Sequence, residues 1–484
     1  MSIETLSFQL KRMKTPILTV LLLIFFSISA VAQKEVRGTV VDTLGQFPIE
    51  SASIYVKNTT IGTISNMDGK FSLNVPQENL QDTLVISSIG YKSFKSTVEA
   101  FENGTTIYLF EDIASLDEVL IVADKRPKTG NEIVLRAIEE LPETMPDSAY
   151  IQRAFLRHRE RNKKEYKWLI ESALSVYDAG YGSDSRDSLL INVDEVRKSY
   201  DLREVDSLFA YTAYLKSRNP RFKTLQNRNL NRDTIATSTL VKAIKWNDER
   251  VNGLANLFQG KLNLVRNAGN PGALFTDKML EEHQFRLDTV LVENDEKLYK
   301  IEISKGADFV GLNTPGIYNE GFEPKGWIYI YWDDFAIKKI EYNLVAASDV
   351  QKRRSKSLLG TLENHKLVLD YRRYNEKMYL NYINYETPKL VKVGDRSTDA
   401  QLEENAQDPD EQFYYTIQEI LFTEIIEDPG KIEAELQNKE WNADVFSPKP
   451  YHPSFWRNYN VLLESEEEEK LIQDLSRRAT LFQE

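Results

Sequence analysis

Four histidines, His158, His283, His365 and His452, are the first residues to test for chemistry, and none opens an H-x-x-E or H-E-x-x-H pattern. A zinc peptidase needs histidines spaced by a helical turn so that both face one ion, and that ligand set is missing here. Cysteine is absent, which excludes disulfides, thiolate metal ligands and thiol nucleophiles together. A G-x-S-x-G nucleophile elbow and a G-x-x-x-x-G-K-[ST] phosphate loop are also missing, and Gly253 to Lys261 has the wrong spacing for the latter. Asp and Glu number 74, so some pair will stand across a cleft in any fold. Glycoside cleavage by paired carboxylates therefore stays open as a reading without assigning a residue. We expect no catalytic residues, no cofactor and no metal ligands, and favour a protein that is not an enzyme.

The other side chains suited to a ligand are aromatic. Trp327, Tyr329, Tyr331 and Trp332 lie in one short segment, and rings with an apolar body and a polar rim can stack on sugars. Burial in a strand explains such rings equally well. Formal net charge is -13, which repels a polyanion such as nucleic acid.

The elements that must position these residues begin after a leader. Lys11, Arg12 and Lys14 precede an apolar run, Ile17 to Ile28, and Ala30-Val31-Ala32 has the small-x-small form of a cleavage site. This is the pattern of a secretory signal peptide over residues 1–32, cut before Gln33. The run falls short of the roughly 20 residues that span hydrocarbon. No transmembrane segment is then expected after cleavage, and without a cysteine no lipobox anchor. Apolar residues make up 41% and charged residues 28% of the chain, with mean hydropathy -0.44, which suits packed cores under a wet surface.

From Glu35 to Phe110 the residues alternate with a period of two between turn signals, as half-buried strands do. Val36, Gly38 and Val40 share a face, as do Ala52, Ile54 and Val56, then Phe71, Leu73 and Val75, then Ile107 and Leu109. Asn66-Met67-Asp68-Gly69 supplies a hairpin turn, in which Asp68 can bond nearby backbone and Gly69 can take positive φ. Short, closely spaced strands of this kind predict a sandwich.

Val36-Arg37-Gly38-Thr39-Val40-Val41-Asp42, Ala52-Ser53-Ile54-Tyr55-Val56, Gly62-Thr63, Asp68-Gly69-Lys70-Phe71-Ser72-Leu73 and Ile89-Gly90-Tyr91 follow in order. They resemble the carboxypeptidase regulatory-like (CarboxypepD_reg-like) domain found at the start of exported Bacteroidetes proteins, TonB-dependent receptors among them. The exit Leu116-Asp117-Glu118-Val119-Leu120-Ile121-Val122 looks like the stretch that joins such a domain to a receptor plug. The resemblance covers residues 33–123. It implies a transthyretin-like seven-strand β-sandwich with a binding or positioning role and brings no catalytic residues. Asp-Ser/Thr-apolar triplets are also more frequent than the one or two expected by chance. They look like the O-glycosylation signal of exported Bacteroidetes proteins, with Thr43, Thr83, Ser148, Ser188, Ser207, Thr234 and Thr289 as candidate acceptors, although polar turns are rich in the same residues.

A basic linker, residues 124–130, precedes a short helix that Asn131 can cap, with Val134, Ala137, Ile138 and Leu141 as its apolar stripe and Pro142 as its stop. Tyr150 to Tyr177 reads as two strands around a polar turn, Glu160 to Lys164. Helices are expected near Val205–Leu215 and Ser238–Phe258. From Lys297 onward an antiparallel meander is predicted, with Trp327 to Trp332 apolar on both faces and so covered on both sides. Turns are expected at Asp333-Asp334 and Asn375-Glu376, then an acidic loop, Gly394 to Glu411, and a final helix, Glu464 to Phe482. The meander looks somewhat like the half-barrels of periplasmic lipoprotein carriers. The helix after the linker, the strand pair ending in Glu171-Ser172-Ala173 and Val176-Tyr177, and Phe455-Trp456-Arg457-Asn458-Tyr459-Asn460 look like those of exported Bacteroidetes proteins that carry the same amino-terminal module, a likeness across residues 130 to 484 that names no mechanism.

The expected class is thus a β-rich multidomain protein, a sandwich followed by an α+β domain over residues 131–484. The expected function is that of a non-catalytic cell-envelope protein, periplasmic or associated with the outer membrane, whose larger domain binds a glycan, a lipid or another envelope protein. A lipid or lipoprotein carrier and a carboxylate hydrolase are the alternatives. Mass spectrometry of the chain recovered from the envelope should find Gln33 at the amino terminus; a protein still carrying the Ile17 to Ile28 run rejects the leader.

Overall fold

The computed structural model describes residues 33–114, 126–161, 166–183, 188–200, 235–260, 262–268, 279–306, 322–392, 411–447 and 449–466, with single positions at 211, 214, 215, 218 and 469. The leader, most of the Val205–Leu215 helix, the acidic loop except Glu411 and most of the last helix lie outside them.

Seven strands form the amino-terminal body: β1 (Gln33–Asp42), β2 (Ser53–Val56), β3 (Gly62–Ile64), β4 (Lys70–Pro76), β5 (Thr83–Ser87), β6 (Phe94–Thr97) and β7 (Thr105–Leu109). They make two sheets, β4-β1-β7 and β3-β2-β5-β6. Alternation sends Val36, Val40, Ile54, Val56, Phe71, Leu73, Leu84, Ile86, Ile107 and Leu109 into one shared core. In the Asn66–Gly69 turn Asn66 does the bonding expected of Asp68. Its Oδ1 accepts the N–H groups of Asp68 at 3.0 Å and Lys70 at 2.9 Å. Gly69 has φ 71°, and a Cβ there would stand 2.3 Å from Val40 O.

A two-residue strand, β8 (Ile113–Ala114), leaves the sandwich for the second body. There follow α1 (Gly130–Glu139), α2 (Leu141–Thr144), β9 (Tyr150–Arg161), β10 (Tyr166–Asp178), β11 (Leu189–Tyr200), α3 (Thr237–Asn252), α4 (Leu254–Phe258) and α5 (Met279–Glu282). Then come β12 (His283–Glu293), β13 (Glu296–Gly306), β14 (Phe322–Tyr331), β15 (Ile337–Ala346), α6 (Asp349–Leu359), β16 (Glu363–Tyr374), β17 (Lys377–Lys392), β18 (Glu411–Ile426), α7 (Pro429–Asn438) and α8 (Pro453–Asn458). Eleven strands share one antiparallel sheet in the order β11-β10-β9-β18-β17-β16-β15-β14-β13-β12-β8. The meander runs from β12 to β18, and β9 then pairs with β18 to attach the earlier β9-β10-β11 unit. Gly326 lets β14 approach β15, because a Cβ there would lie 1.8 Å from Glu341 O. Asn375 and Glu376 both take positive φ, the backbone of a tight hairpin turn.

The start of α1 differs from expectation. Thr129 caps it and forms a capping box with Glu132, while Asn131 Oδ1 accepts the Phe285 N–H at 2.8 Å and ties the helix to β12. A threonine followed three residues later by Glu satisfies two orphan N–H groups at once, which one Asn cannot. Nor does Pro142 end α1; it lies in the first turn of α2, where a missing N–H leaves no bond unmade. The stripe Val134, Ala137 and Leu141 is buried, with Ile133 beside it.

The two bodies share a core instead of being strung on a tether. Ile64 of the sandwich packs in one cluster with Phe155, Tyr382, Leu421, Trp456 and Leu462. β8 pairs with β12, the Gly90 N–H donates to Val292 O at 2.9 Å, and the Arg372 guanidinium donates to Thr60 O at 2.9 Å. Lys338 is buried against Asp370 Oδ1 at 3.0 Å and Glu293 Oε2 at 4.0 Å, and Glu293 accepts from Ser87 of the sandwich. Burial opposes the charge on Lys338, but the two carboxylates hold its pKa above the ordinary value.

On the same side of the sheet, Glu171 is fully buried between the Arg157 Nε at 2.9 Å and the Arg197 Nε at 2.6 Å. Burial alone would raise the carboxyl; the two guanidiniums reverse the sign and hold it below the usual range. Its contribution is thus present above the unfolded-state pKa and is lost as pH falls through the lower folded-state value. Glu171→Gln leaves two buried guanidiniums short of a counter-charge and should cost about 3–5 kcal/mol. Urea unfolding at neutral pH measures this, and a change under about 1 kcal/mol would place the pair outside the stabilising core.

Candidate functional site

Strand β9 is buried along nearly its whole length, with one face turned to the sandwich and the other to the helices, so its alternate side chains enter two different cores. Phe155 joins the core shared with the sandwich, while Ala154 and Leu156 join the helix-side core. His158, in step with Leu156, points to the helix side and is 1% exposed. There α3 buries Ala243 and Ile244 and carries Asp248 to 3.7 Å between its Oδ1 and the His158 Nε2. The His158 ring meets Trp168 edge-on at 5.6 Å, and Trp168 meets Phe446 at 5.7 Å. The segment after α7 closes the third side, with Asp444 paired to Lys245 and Lys198 donating to Ser447 O at 2.6 Å.

These elements bound a cavity of about 290 Å³ lined by His158, Lys245, Asp248, Glu249, Gln418 and Asp444, with Leu254, Val445 and Phe446 as apolar lining. Burial raises the Glu249 carboxyl, and Asp444 and Asp248 add to the rise while Lys245, 3.7 Å away, opposes it. A buried imidazole beside a carboxylate can orient a hydroxyl or move a proton. Lys245 and Gln418 supply donors and the carboxylates supply acceptors. None of these residues was assigned a role from sequence. Lys245 and Glu249 sit at i and i+4, a spacing that reads as a solvated helix pair.

The other histidines go elsewhere. His283 stacks on Phe285 at 6.1 Å. His452 is exposed and lies 2.9 Å from a Glu195 carboxylate oxygen. His365 is buried with its Nδ1 2.9 Å from Thr387 Oγ1. Among the described residues, no group of three or more His, Asp or Glu side chains is arranged to hold a metal ion.

The four expected ligand aromatics do not line this cavity. Tyr329 and Tyr331 are 9% and 6% exposed, because β14 lies inside the sheet and is covered on both faces. Cations of the chain itself take up the ring faces. Lys300 Nζ lies 3.9 Å from the Trp327 centroid, Lys339 Nζ 6.0 Å from Tyr329, and the Arg373 and Arg126 guanidiniums 4.6 Å and 4.8 Å from Tyr331 and Trp332. Of the expected acceptor hydroxyls, Ser148 is exposed and Thr43, Thr83, Ser188 and Thr289 are half-buried, Thr43 donating to Leu109 O at 2.7 Å. Ser207 and Thr234 lie outside the described residues.

Residues 36–121 match the CarboxypepD_reg-like domain. This stretch is a CarboxypepD_reg-like domain. The chain is 38% identical over 121 residues to the TonB-dependent receptor SusC of Bacteroides thetaiotaomicron, covering 24% of this chain and 11% of the receptor. It is 30% identical over 102 residues to the TonB-dependent receptor P39 of Formosa agariphila, covering 21% of this chain and 9% of that one. The chain therefore spans only about a tenth of the length of these curated relatives, and the homology is with the SusC-like receptors of Bacteroidetes. A solved LolA superfamily protein from Nitrosomonas europaea is 10% identical with a TM-score of 0.20, over 63% of this chain and 97% of that one. A DUF1329 family protein from Desulfovibrio piger is 8% identical with a TM-score of 0.26, over 65% and 98%. At these scores the overlap does not establish a shared fold. No described helix is long and apolar enough to cross a membrane.

Burial lowers the His365 pKa from 6.5 to about 3. The unfolded chain then binds the extra proton across that interval, so stability should fall as pH drops from about 6.5 toward 3. His365→Gln removes this proton uptake, and denaturant titrations from pH 7 to 4 should show a flatter decline for the variant. Parallel slopes for the two proteins would reject a neutral buried His365.

Proposed function

We propose that this chain is a cell-envelope protein whose CarboxypepD_reg-like domain holds the large sheet domain in a set orientation, while the cleft over His158 binds a small polar ligand of the glycan class. The cavity lining carries the reading. Hydroxyl-rich ligands need donors and acceptors close together with an apolar surface for their C–H faces, and Lys245, Gln418, Asp248, Asp444 and Phe446 supply these around one space. A lipid suits this charged lining less well, because each buried charge would lose its hydration to an apolar chain. The leader pattern and the homology with TonB-dependent receptors support placement in the envelope.

A second reading, hydrolysis with carboxylates, is favoured by one observation. Asp248, Glu249 and Asp444 share the cavity with His158, and burial raises the Glu249 carboxyl above its ordinary value, the direction a general acid needs.

One experiment addresses both. The mature protein is screened on a glycan array, and the best hit is followed by calorimetry with wild type and Asp248→Asn. Loss of a buried charged partner should weaken binding about 10–100-fold. Failure to bind any glycan, or unchanged affinity in Asp248→Asn and Lys245→Ala, would overturn the proposal. Release of a cleaved product that Glu249→Gln abolishes would favour the hydrolase.

A further inference from the structure

The turn from β14 to β15 holds Phe335 at φ 59°, a left-handed conformation that a bulky aromatic residue adopts only when its surroundings enforce it. Tyr331 N–H to Ala336 O at 2.9 Å and Ala336 N–H to Asp334 Oδ1 at 3.1 Å close that turn. Its consequence is a stack of three rings. Phe335 lies over Tyr299 at 6.1 Å and 18°, and Tyr299 lies over Trp332 at 4.5 Å and 29°. The Arg126 guanidinium sits against this stack, 4.8 Å from the Trp332 centroid and 5.7 Å from the Phe335 centroid. It donates to Trp332 O, and the Asp333 carboxylate stands 3.9 Å away. Tyr299 is fully buried, whereas Arg126 keeps 32% of its side chain exposed, so the site opens to solvent.

We propose that Trp332, Phe335 and Tyr299 form a receptor for a guanidinium group, and that Arg126 of the same chain occupies it as a tethered ligand. Ring faces carry negative quadrupole potential, a guanidinium is weakly hydrated and planar, and Trp332 O and Asp333 supply the acceptor and the counter-charge. The other cation–ring contacts on this sheet differ in kind. Lys300, Lys339 and Arg373 belong to β13, β15 and β16, and Arg157, Arg161 and Arg197 to β9 and β11, so the sheet fixes them where they are, and Arg373 is also paired with Asp334. Arg126 belongs to no strand and stands just ahead of α1, so it can leave without breaking a ladder. A tethered occupant competes at an effective concentration in the millimolar range. A free guanidinium ligand therefore binds poorly until Arg126 is removed, and a partner that presents an arginine exchanges with it.

The test uses full-length mature protein and N-acetyl-arginine amide as probe, read through the Trp332 indole N–H resonance, which is assigned by its loss in Trp332→Phe. Arg126→Gln empties the site, and its Trp332 signal should shift saturably, with an apparent Kd lower than that of wild type by about tenfold or more. No saturable shift in a folded Arg126→Gln protein overturns the proposal, as does equal affinity in variant and wild type. Should Arg126→Gln fail to fold, Arg126→Lys is read the same way. An ammonium lacks the planar fork, so this variant should respond at lower probe concentration than wild type, and an identical response overturns the proposal.

Discussion

Strand β9 is paired along both edges, with β10 and with β18, and this double pairing is the constraint on which the large domain rests. The sandwich covers one face of β9 and the helices cover the other, yet β9 carries Arg157, His158, Arg159 and Glu160, all under 10% exposed. Ions taken out of water need partners. Glu171 and Glu419 meet Arg157 and Arg159 on the sandwich side, and Asp248 meets His158 on the helix side. Such pairs add little net stability compared with apolar packing of the same volume. What they add is register: a slip of one residue would put each arginine opposite α3 and His158 against the sandwich.

The same logic governs the docking of the CarboxypepD_reg-like domain. Lys338, Glu293 and Asp370 are buried close to the sandwich, and Arg372 reaches into it to Thr60 O. Burial lowers the Arg372 pKa to about 10, which still leaves a cation at neutral pH. The carboxyl-terminal segment adds a second attachment along β4, where Asn460 Oδ1 accepts the Asn74 N–H at 2.9 Å and Asn66 donates to Glu464 O at 2.9 Å. The sandwich is thus held to the large domain through both the sheet and the tail, and not through the connecting strand β8 alone.

How much of this was legible in the sequence depended on distance along the chain. Local alternation announced four of the sandwich strands, the resemblance implied the seven, and turn residues marked the β14–β15 and β16–β17 hairpins, because period two and turn residues are short-range signals. The helix stripe at Val134, Ala137 and Leu141 was legible for the same reason, while the cap was ambiguous, because Asn131 and the Thr129–Glu132 box both offer capping side chains within three residues. The cavity was not legible. His158 lies among charged residues that read as the approach to a polar turn, and only the packing of the helices and the sandwich against β9 shows that both its faces are covered. Asp248 and Asp444 come from remote segments, and nothing local distinguishes them from other acidic residues of a strongly acidic chain.

The aromatic segment shows how neighbouring strands decide whether a ring face stays open. Tyr and Trp on β14 suit sugar stacking only if a ring face is open, and a strand with neighbours on both edges draws its flanking residues from the adjacent strands. Those residues are Lys300 on β13 and Lys339 on β15, whose aliphatic stems cover apolar area while the ammonium stays near water. A long cation beside a ring satisfies both requirements, so the ring faces filled from within the sheet. The cavity between β9, α3 and the segment that follows α7 is lined instead by side chains from three separate elements, which no single stretch of sequence brings together.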